Sequence, residues 1–268
     1  MSDVTSHPVG EGAPDIREME IGDLRRALHN GWRDFRRKPF FGLFFAAVYV
    51  VGGWAIYLLL FQAHLEWLAI PLTFGFPLIG PFLAVGLYEV SRRLEAEDYD
   101  WTARDIFAVV WRQRLRQLPS MAWVIIVYFL FWSFFAHMLF ALFLGPSALT
   151  NVTSSYAYLL EPEGLTMLLV GGAFGAVFAF VLFALTVVSL PLLLDREVDF
   201  VTSMITSIAV IRQNPKIMFA WAFTIAALTF LAMMPGLVGL IVVLPVLGHA
   251  SWHIYRQATV TSGERGAT

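Results

Sequence analysis

Cysteine is absent from the 268 residues, which excludes disulfides, thiolate metal sites and cysteine nucleophiles and leaves the redox compartment open. Charge is also scarce, at 14% Asp, Glu, Lys and Arg, and the blocks Phe40 to Phe61 and Leu165 to Leu194 contain none. Embedded ionisable residues of the kind that ion and proton pumps place inside the bilayer are therefore missing from these blocks. No P-loop, nucleotide-binding GxGxxG or HExxH sequence occurs. With no catalytic constellation, the chain is not expected to be an enzyme. The first apolar block begins only at Phe40, behind a stretch rich in Asp, Glu, Gly and Pro, so no secretory signal peptide is expected.

What is abundant is apolar. Hydrophobic residues make up 58% of the chain and the mean hydropathy is +0.69, a balance that calls for a lipid solvent. Apolar runs extend over Phe40 to Phe61, Leu68 to Tyr88, Met121 to Leu144, Leu165 to Leu194 and Ile217 to Leu247. About 20 helical residues suffice to span a bilayer. The last run is long enough for one overlong helix or for a hairpin turned at Pro235-Gly236. Lys and Arg arbitrate: they fall in Arg17 to Lys38, Arg92 to Arg116, Arg196 to Lys216 and the tail with Arg256 and Arg265. Six spans put all four segments on the cytoplasmic side, as the positive-inside bias requires. The reading is an all-α, polytopic membrane protein with both termini cytoplasmic.

An internal repeat supports this count. LRRALHNGWRDFRRKPFFGLFFAAVYVV, FAVVWRQRLRQLPSMAWVIIVYFL and SMITSIAVIRQNPKIMFAWAFTIAAL each pass from an amphipathic stretch through basic residues to a proline and then a span. Pro39, Pro119 and Pro215 suit helix boundaries, because proline restricts the residue before it and its missing N–H costs little in a first turn. Each unit is thus an amphipathic helix followed by a transmembrane hairpin, over about 20–93, 100–197 and 198–257. These form one membrane domain, 20–257, between a polar disordered tail at 1–19 and another at 258–268. In the first amphipathic stretch Ile21, Leu24, Leu28, Trp32 and Phe35 recur at helical spacing, with Arg25, Arg26, Arg33, Arg36 and Arg37 beside them. Ile106, Val110, Trp111 and Leu118 mark the second apolar face, and Met204, Ile205, Ile208 and Ile211 the third. Such helices lie in the headgroup plane, or pack on one another beneath the bundle. The five arginines are the candidate sites for anionic lipid.

Pro71, Pro77 and Pro81, with Gly75 and Gly80, interrupt the second span. They read as an architectural kink or, alternatively, as a broken helix exposing backbone to a substrate. Gly171, Gly175 and Ala179 fall on one face of the fourth span, for packing within the chain or between copies. His249 and His253 share a helix face at a spacing that can ligate a metal or haem. The competing reading is a pair of interfacial histidines bonded to backbone or headgroups, and no cofactor or metal is expected; His137 belongs toward the other side of the membrane, and His29 could approach the pair. Glu89, Arg92, Arg93, Asp195 and Arg196 gather at span ends and suit pairing across helices. The Asn151-Val152-Thr153 sequon carries no functional weight, and the basic residues are explained by topology without nucleic acid.

The segments GFPLIGPFLAVGLYEVSRR, SLPLLLDREVDFVTSMITSIAVIRQNP and VLPVLGHASWHIYRQ resemble an uncharacterised family of bacterial predicted integral membrane proteins, over nearly the whole chain after Ile21. Some members of that family carry a cytochrome c oxidase subunit label. The resemblance implies no ligand set, and the array of intramembrane histidines of a haem-copper catalytic subunit is lacking. Three functions stay open, in this order: an accessory or organising component of a membrane complex, a small-solute or ion carrier or channel, and a haem- or metal-binding redox accessory protein. Expected partners are the bilayer with its anionic lipid and a membrane protein or second copy.

Overall fold

The computed structural model of the protein describes residues 10–59, 69–98, 100–113, 115–144 and 162–260. Its helices fall into three units. α1 (Ile21–Arg37) leads into α2 (Pro39–Tyr57) and α3 (Ala69–Glu95). α4 (Ala103–Gln113) leads into α5 (Leu118–Leu144) and α6 (Pro162–Thr186), which α7 (Ser189–Asp195) prolongs. α8 (Phe200–Gln213) leads into α9 (Pro215–Met233) and α10 (Leu240–Ala258). Pro39 and Pro215 open α2 and α9, and Pro119 is the second residue of α5; the first turn of a helix tolerates a residue without N–H. Among the described residues, four helices are long and apolar enough to cross a membrane: Pro39–Tyr57, Leu118–Phe143, Gly164–Asp195 and Pro215–Met233. The chain is an all-α polytopic membrane protein.

The run from Ile217 to Leu247 is a hairpin. Gly236 at φ 65° and Leu237 at φ 69° make its turn, where glycine enters the left-handed region without the steric cost that Leu237 bears. Trp54 Nε1 on α2 donates to the Gly236 carbonyl at 3.0 Å and fastens the turn to the first unit. α3 runs unbroken through Pro77 and Pro81, so the proline-rich span is a continuous helix in which each of these prolines lacks the N–H that its turn would use. Between α6 and α7 the backbone stays close to helical, and the Val188 amide donates to Ser207 Oγ on α8 at 3.2 Å.

The basic segments meet at one end of the bundle. α1 packs mainly on α10, burying Leu24, Ala27 and Phe35 in its seam. Residues ahead of α1 continue this layer. β1 (Gly10–Glu11) pairs in parallel with β3 (Arg196–Glu197), and β2 (Asp15–Ile16) pairs antiparallel with β4 (Thr259–Val260). The Met19 amide then donates to Asn214 Oδ1 at 2.6 Å, and Asn214 Nδ2 donates to the Arg17 carbonyl at 3.0 Å. One short strand segment thus ties the first unit to the start of the third and to the end of α10. Backbone groups at 10–11, 15–17, 19 and 258–260 take part in this pairing, within the stretches 1–19 and 258–268 that the sequence reading leaves as tails. Residues 1–9 and 261–268 lie outside the described ones, as does the sequon at Asn151.

Candidate functional site

α1, α3 and α10 approach one another closely where they cross. Gly31 brings the α1 and α10 backbones together: a Cβ there would sit 2.7 Å from the Ala250 nitrogen and the Val246 oxygen. Gly248 does the same against Leu87 of α3, whose Cδ1 lies 2.5 Å from a Cβ at that position. One turn beyond Gly31, Asp34 faces inward with 1% of its surface exposed. Its Oδ2 receives the Ser91 hydroxyl at 2.9 Å and stands 2.7 Å from His253 Nε2. Ser91 Oγ is also 2.8 Å from His249 Nδ1. All four side chains are buried. Burial disfavours the ionised Asp34 carboxyl, but the hydrogen bond and charge of His253, with Ser91 and His249 behind them, outweigh it and hold the group below the usual carboxylate range.

The histidine pair identified in the sequence therefore sits on one helix face as expected, with its ring nitrogens turned to Asp34 and Ser91. Among the described residues no group of three or more His, Asp or Glu side chains is arranged to hold a metal ion. His29 is exposed on the outer side of α1 and does not join the pair. His137, on α5, directs its Nδ1 to the Ser133 carbonyl at 2.7 Å.

Asp34 and Ser91 are the members that spacing and motif did not single out. Asp34 had a signal: it continues the stripe Leu24, Ala27, Gly31, the helix face that the structure buries. An acid on an apolar seam requires a partner.

Around this centre the span-end charges close on one another. Glu89, fully buried, accepts from Arg92 at 2.8 Å and Arg93 at 2.6 Å on its own helix. Of the span-end residues, Asp195 pairs across helices: Tyr255 donates to it at 2.7 Å, and Arg256, which donates to Glu95 at 3.0 Å, lies 3.8 Å from it. Trp252 Nε1 donates to the second Glu95 oxygen at 2.9 Å. A cavity of about 330 Å³ opens on the rim between the second and third units, lined by Arg116, Leu193, Arg196, Glu197 and Asp199. An Arg116–Glu197 ion pair of 2.7 Å is among its lining residues.

The five lipid-candidate arginines, Arg25, Arg26, Arg33, Arg36 and Arg37, are all exposed on α1. Arg26 pairs with the buried Asp23, and Arg33 Nε lies 3.9 Å from Asp34. The apolar stripe beside them splits. Leu24 and Phe35 face α10, whereas Ile21 and Trp32 stay on the outer surface at 62% and 43% exposure, so α1 is anchored on the bundle with an amphipathic remainder outside. Of the small-residue stripe, Gly175 lies against Trp132 at 3.3 Å from where a Cβ would be, while Gly171 faces open space.

Residues 69–195, from α3 through α7, match the family model described as Predicted integral membrane protein (DUF2189). The matched stretch is a little under half of the chain. It contains Ser91 and the Glu89 ion cluster but neither Asp34 nor the histidines, and the family description names no reaction, ligand or oxidase role. No curated protein and no solved structure matches the chain.

Proposed function

We propose that this integral membrane protein is an accessory or organising component of a bacterial inner-membrane complex, crossing the membrane six times with both termini in the cytoplasm. The observation that carries the reading is the closure of the basic layer. Charges far apart in the sequence satisfy one another, as with Arg256 and Glu95 or Arg116 and Glu197, while the helices beneath keep broad apolar flanks: only 12% of the spanning window of α5 and 17% of that of α9 is buried within the chain. A rigid polar cap over wide apolar sides suits lateral association more than passage of a solute. The pairing of β2 with β4 supports an even number of crossings, since it sets residues 15–16 beside 259–260. Gathering of the basic segments at that end supports its cytoplasmic placement. Exposed Trp32 and Ile21 beside Arg25 and Arg36 fit contact with anionic headgroups.

The test is purification of the full-length chain from its native membrane in mild detergent, with a matched deletion strain. A multi-subunit membrane complex that copurifies in fixed proportion and loses assembly on deletion bears the reading out. A chain that purifies alone and makes liposomes permeable to a solute or ion overturns it in favour of a carrier. Reporter fusions at the C-terminus check the topology, and a periplasmic signal there removes the six-crossing arrangement.

A further inference from the structure

The hydrogen bonds at the α1, α3 and α10 crossing determine where its protons sit. Ser91 has one hydroxyl hydrogen, and it goes to Asp34 Oδ2. The 2.8 Å contact between Ser91 Oγ and His249 Nδ1 then needs its hydrogen from the imidazole, so Nδ1 donates and neutral His249 is the Nδ1–H tautomer. This leaves Nε2 with a lone pair, fully buried and without a hydrogen-bond partner. An unmet buried acceptor is costly and uncommon in a folded protein. A proton is the smallest ligand that could occupy this lone pair.

We propose that His249 Nε2 is a proton-binding site, with Asp34 as its counter-charge across Ser91. The surrounding charges leave that role to Asp34. On α3, Glu89 is taken up by Arg92 and Arg93. On α10, Arg256 turns to Glu95 and Asp195, and His253 shares Asp34 Oδ2 with Ser91. On α1, Arg33 stands 3.9 Å from the other Asp34 oxygen. Proton uptake at Nε2 breaks none of these links: Nδ1–H still donates to Ser91, and Ser91 still donates to Asp34. The protonated ring therefore attracts Asp34, and α1 with it, toward the same centre.

Nitrogen NMR of the full chain in nanodiscs, with ¹⁵N-labelled histidine, tests this directly. His249 is assigned by the resonances lost in His249→Gln, or by elimination through the other histidines should that variant not fold. At neutral pH His249 is expected to carry its hydrogen on Nδ1, and on acidification its Nε2 resonance shifts from the unprotonated to the protonated position while Nδ1 stays protonated. Ser91→Ala, which removes the Nδ1 acceptor, is expected to send the neutral ring to the Nε2–H form. A wild-type ring that is already Nε2–H at neutral pH, an Nε2 that stays unprotonated until the chain unfolds, or a Ser91→Ala ring that keeps Nδ1–H each overturns the proposal.

Discussion

At Gly31, in the basic layer, an added Cβ would meet backbone atoms of α10 at 2.7 Å, whereas at Gly171 or Gly172, on α6, it would meet nothing within 4 Å. The same contrast holds for charge. Glu89 is fully buried between two arginines of its own helix, while the spanning window of α6 and α7, Gly164–Asp195, has at most two charged residues. Packing is close where polar groups must be placed against one another, because a buried polar atom a few tenths of an ångström out of place loses its partner. Where the neighbour is fluid lipid, side chains need only be apolar, and the helices are free to present large Phe, Leu and Val surfaces. The fold is thus specified from its basic end.

Breaking the buried charges is expected to have the largest effect. Glu89→Ala leaves the partly buried Arg92 and Arg93 without their shared carboxylate, a loss of about 3 kcal/mol, the low end for breaking a buried pair because both guanidiniums reach the surface and Arg93 keeps Asp98. Glu197→Ala, at the exposed pair with Arg116, is expected to cost between about 0 and 1 kcal/mol. Thermal unfolding of both variants in one detergent measures the difference, and equal losses would dissolve the contrast between the two sites.

Close to it in size is the glycine comparison. Gly31→Ala forces α1 off the α10 backbone and is expected to cost about 3 kcal/mol, the upper part of the usual range for overpacking, since backbone atoms cannot rotate away. Gly171→Ala, in open space, is expected to fall within about 0.5 kcal/mol of the wild type. Destabilisation at Gly171 comparable to that at Gly31 would mean that a second copy or another chain packs there.

These sites differ in how far the sequence discloses them. The helix starts at Pro39, Pro119 and Pro215 were legible, because proline suits a first turn and because long uncharged runs have few alternatives to helix. The hairpin at Pro235-Gly236 was legible for the same reason. Local periodicity also found the amphipathic helices, but it could not say what covers them, and Ile21 and Trp32 were grouped with Leu24 and Phe35 although the structure separates them. The His249 and His253 pair was visible at four-residue spacing. Their partners were not: Asp34 is 219 residues from His253, and Ser91 is 158 residues from His249, so only the crossing of three helices brings them together. The belt made by residues 10–19 was hidden as well, since its backbone bonds to Ala258 and to the Asn214 side chain leave no side-chain pattern in the segment itself.

Acid should loosen the basic layer before the apolar half. The Asp34 carboxyl is ionised more readily in the folded chain than in the unfolded one, despite its burial, because His253, Ser91 and His249 favour the charged form. A depressed native value contributes stability that is complete above the unfolded carboxylate value of about 3.9 and lost as pH falls through the native value. Asp23 adds to the same limb: its burial is outweighed by the Glu20 amide, Arg26 and Arg17. Asp34→Asn is therefore expected to be less stable than the wild type at neutral pH and to lose less on acidification below about pH 4. Parallel stability curves for the two chains in that range would remove Asp34 from the acid response.

The smallest expected effect sharpens the boundary between layer and lipid. Arg25, Arg26, Arg33, Arg36 and Arg37 line the outside of α1, and a basic residue near an anionic surface contributes about 1 kcal/mol, less as salt shortens the reach of its field. Arg26 and Arg33 already face Asp23 and Asp34, so their share should be smaller. Arg36→Gln is the cleaner change. In nanodiscs of anionic lipid it is expected to lower the unfolding free energy by about 1 kcal/mol, in neutral lipid by much less, and the difference should shrink at high ionic strength. Because Leu24, Ala27 and Phe35 keep α1 on the bundle whatever lies outside, the helix itself should persist on both lipids, with hydrogen exchange along its inner seam unchanged. Equal effects of Arg36→Gln on the two lipids would show that the row does not read headgroup charge. Loss of protection along the seam in neutral lipid would show instead that headgroups hold α1 in place.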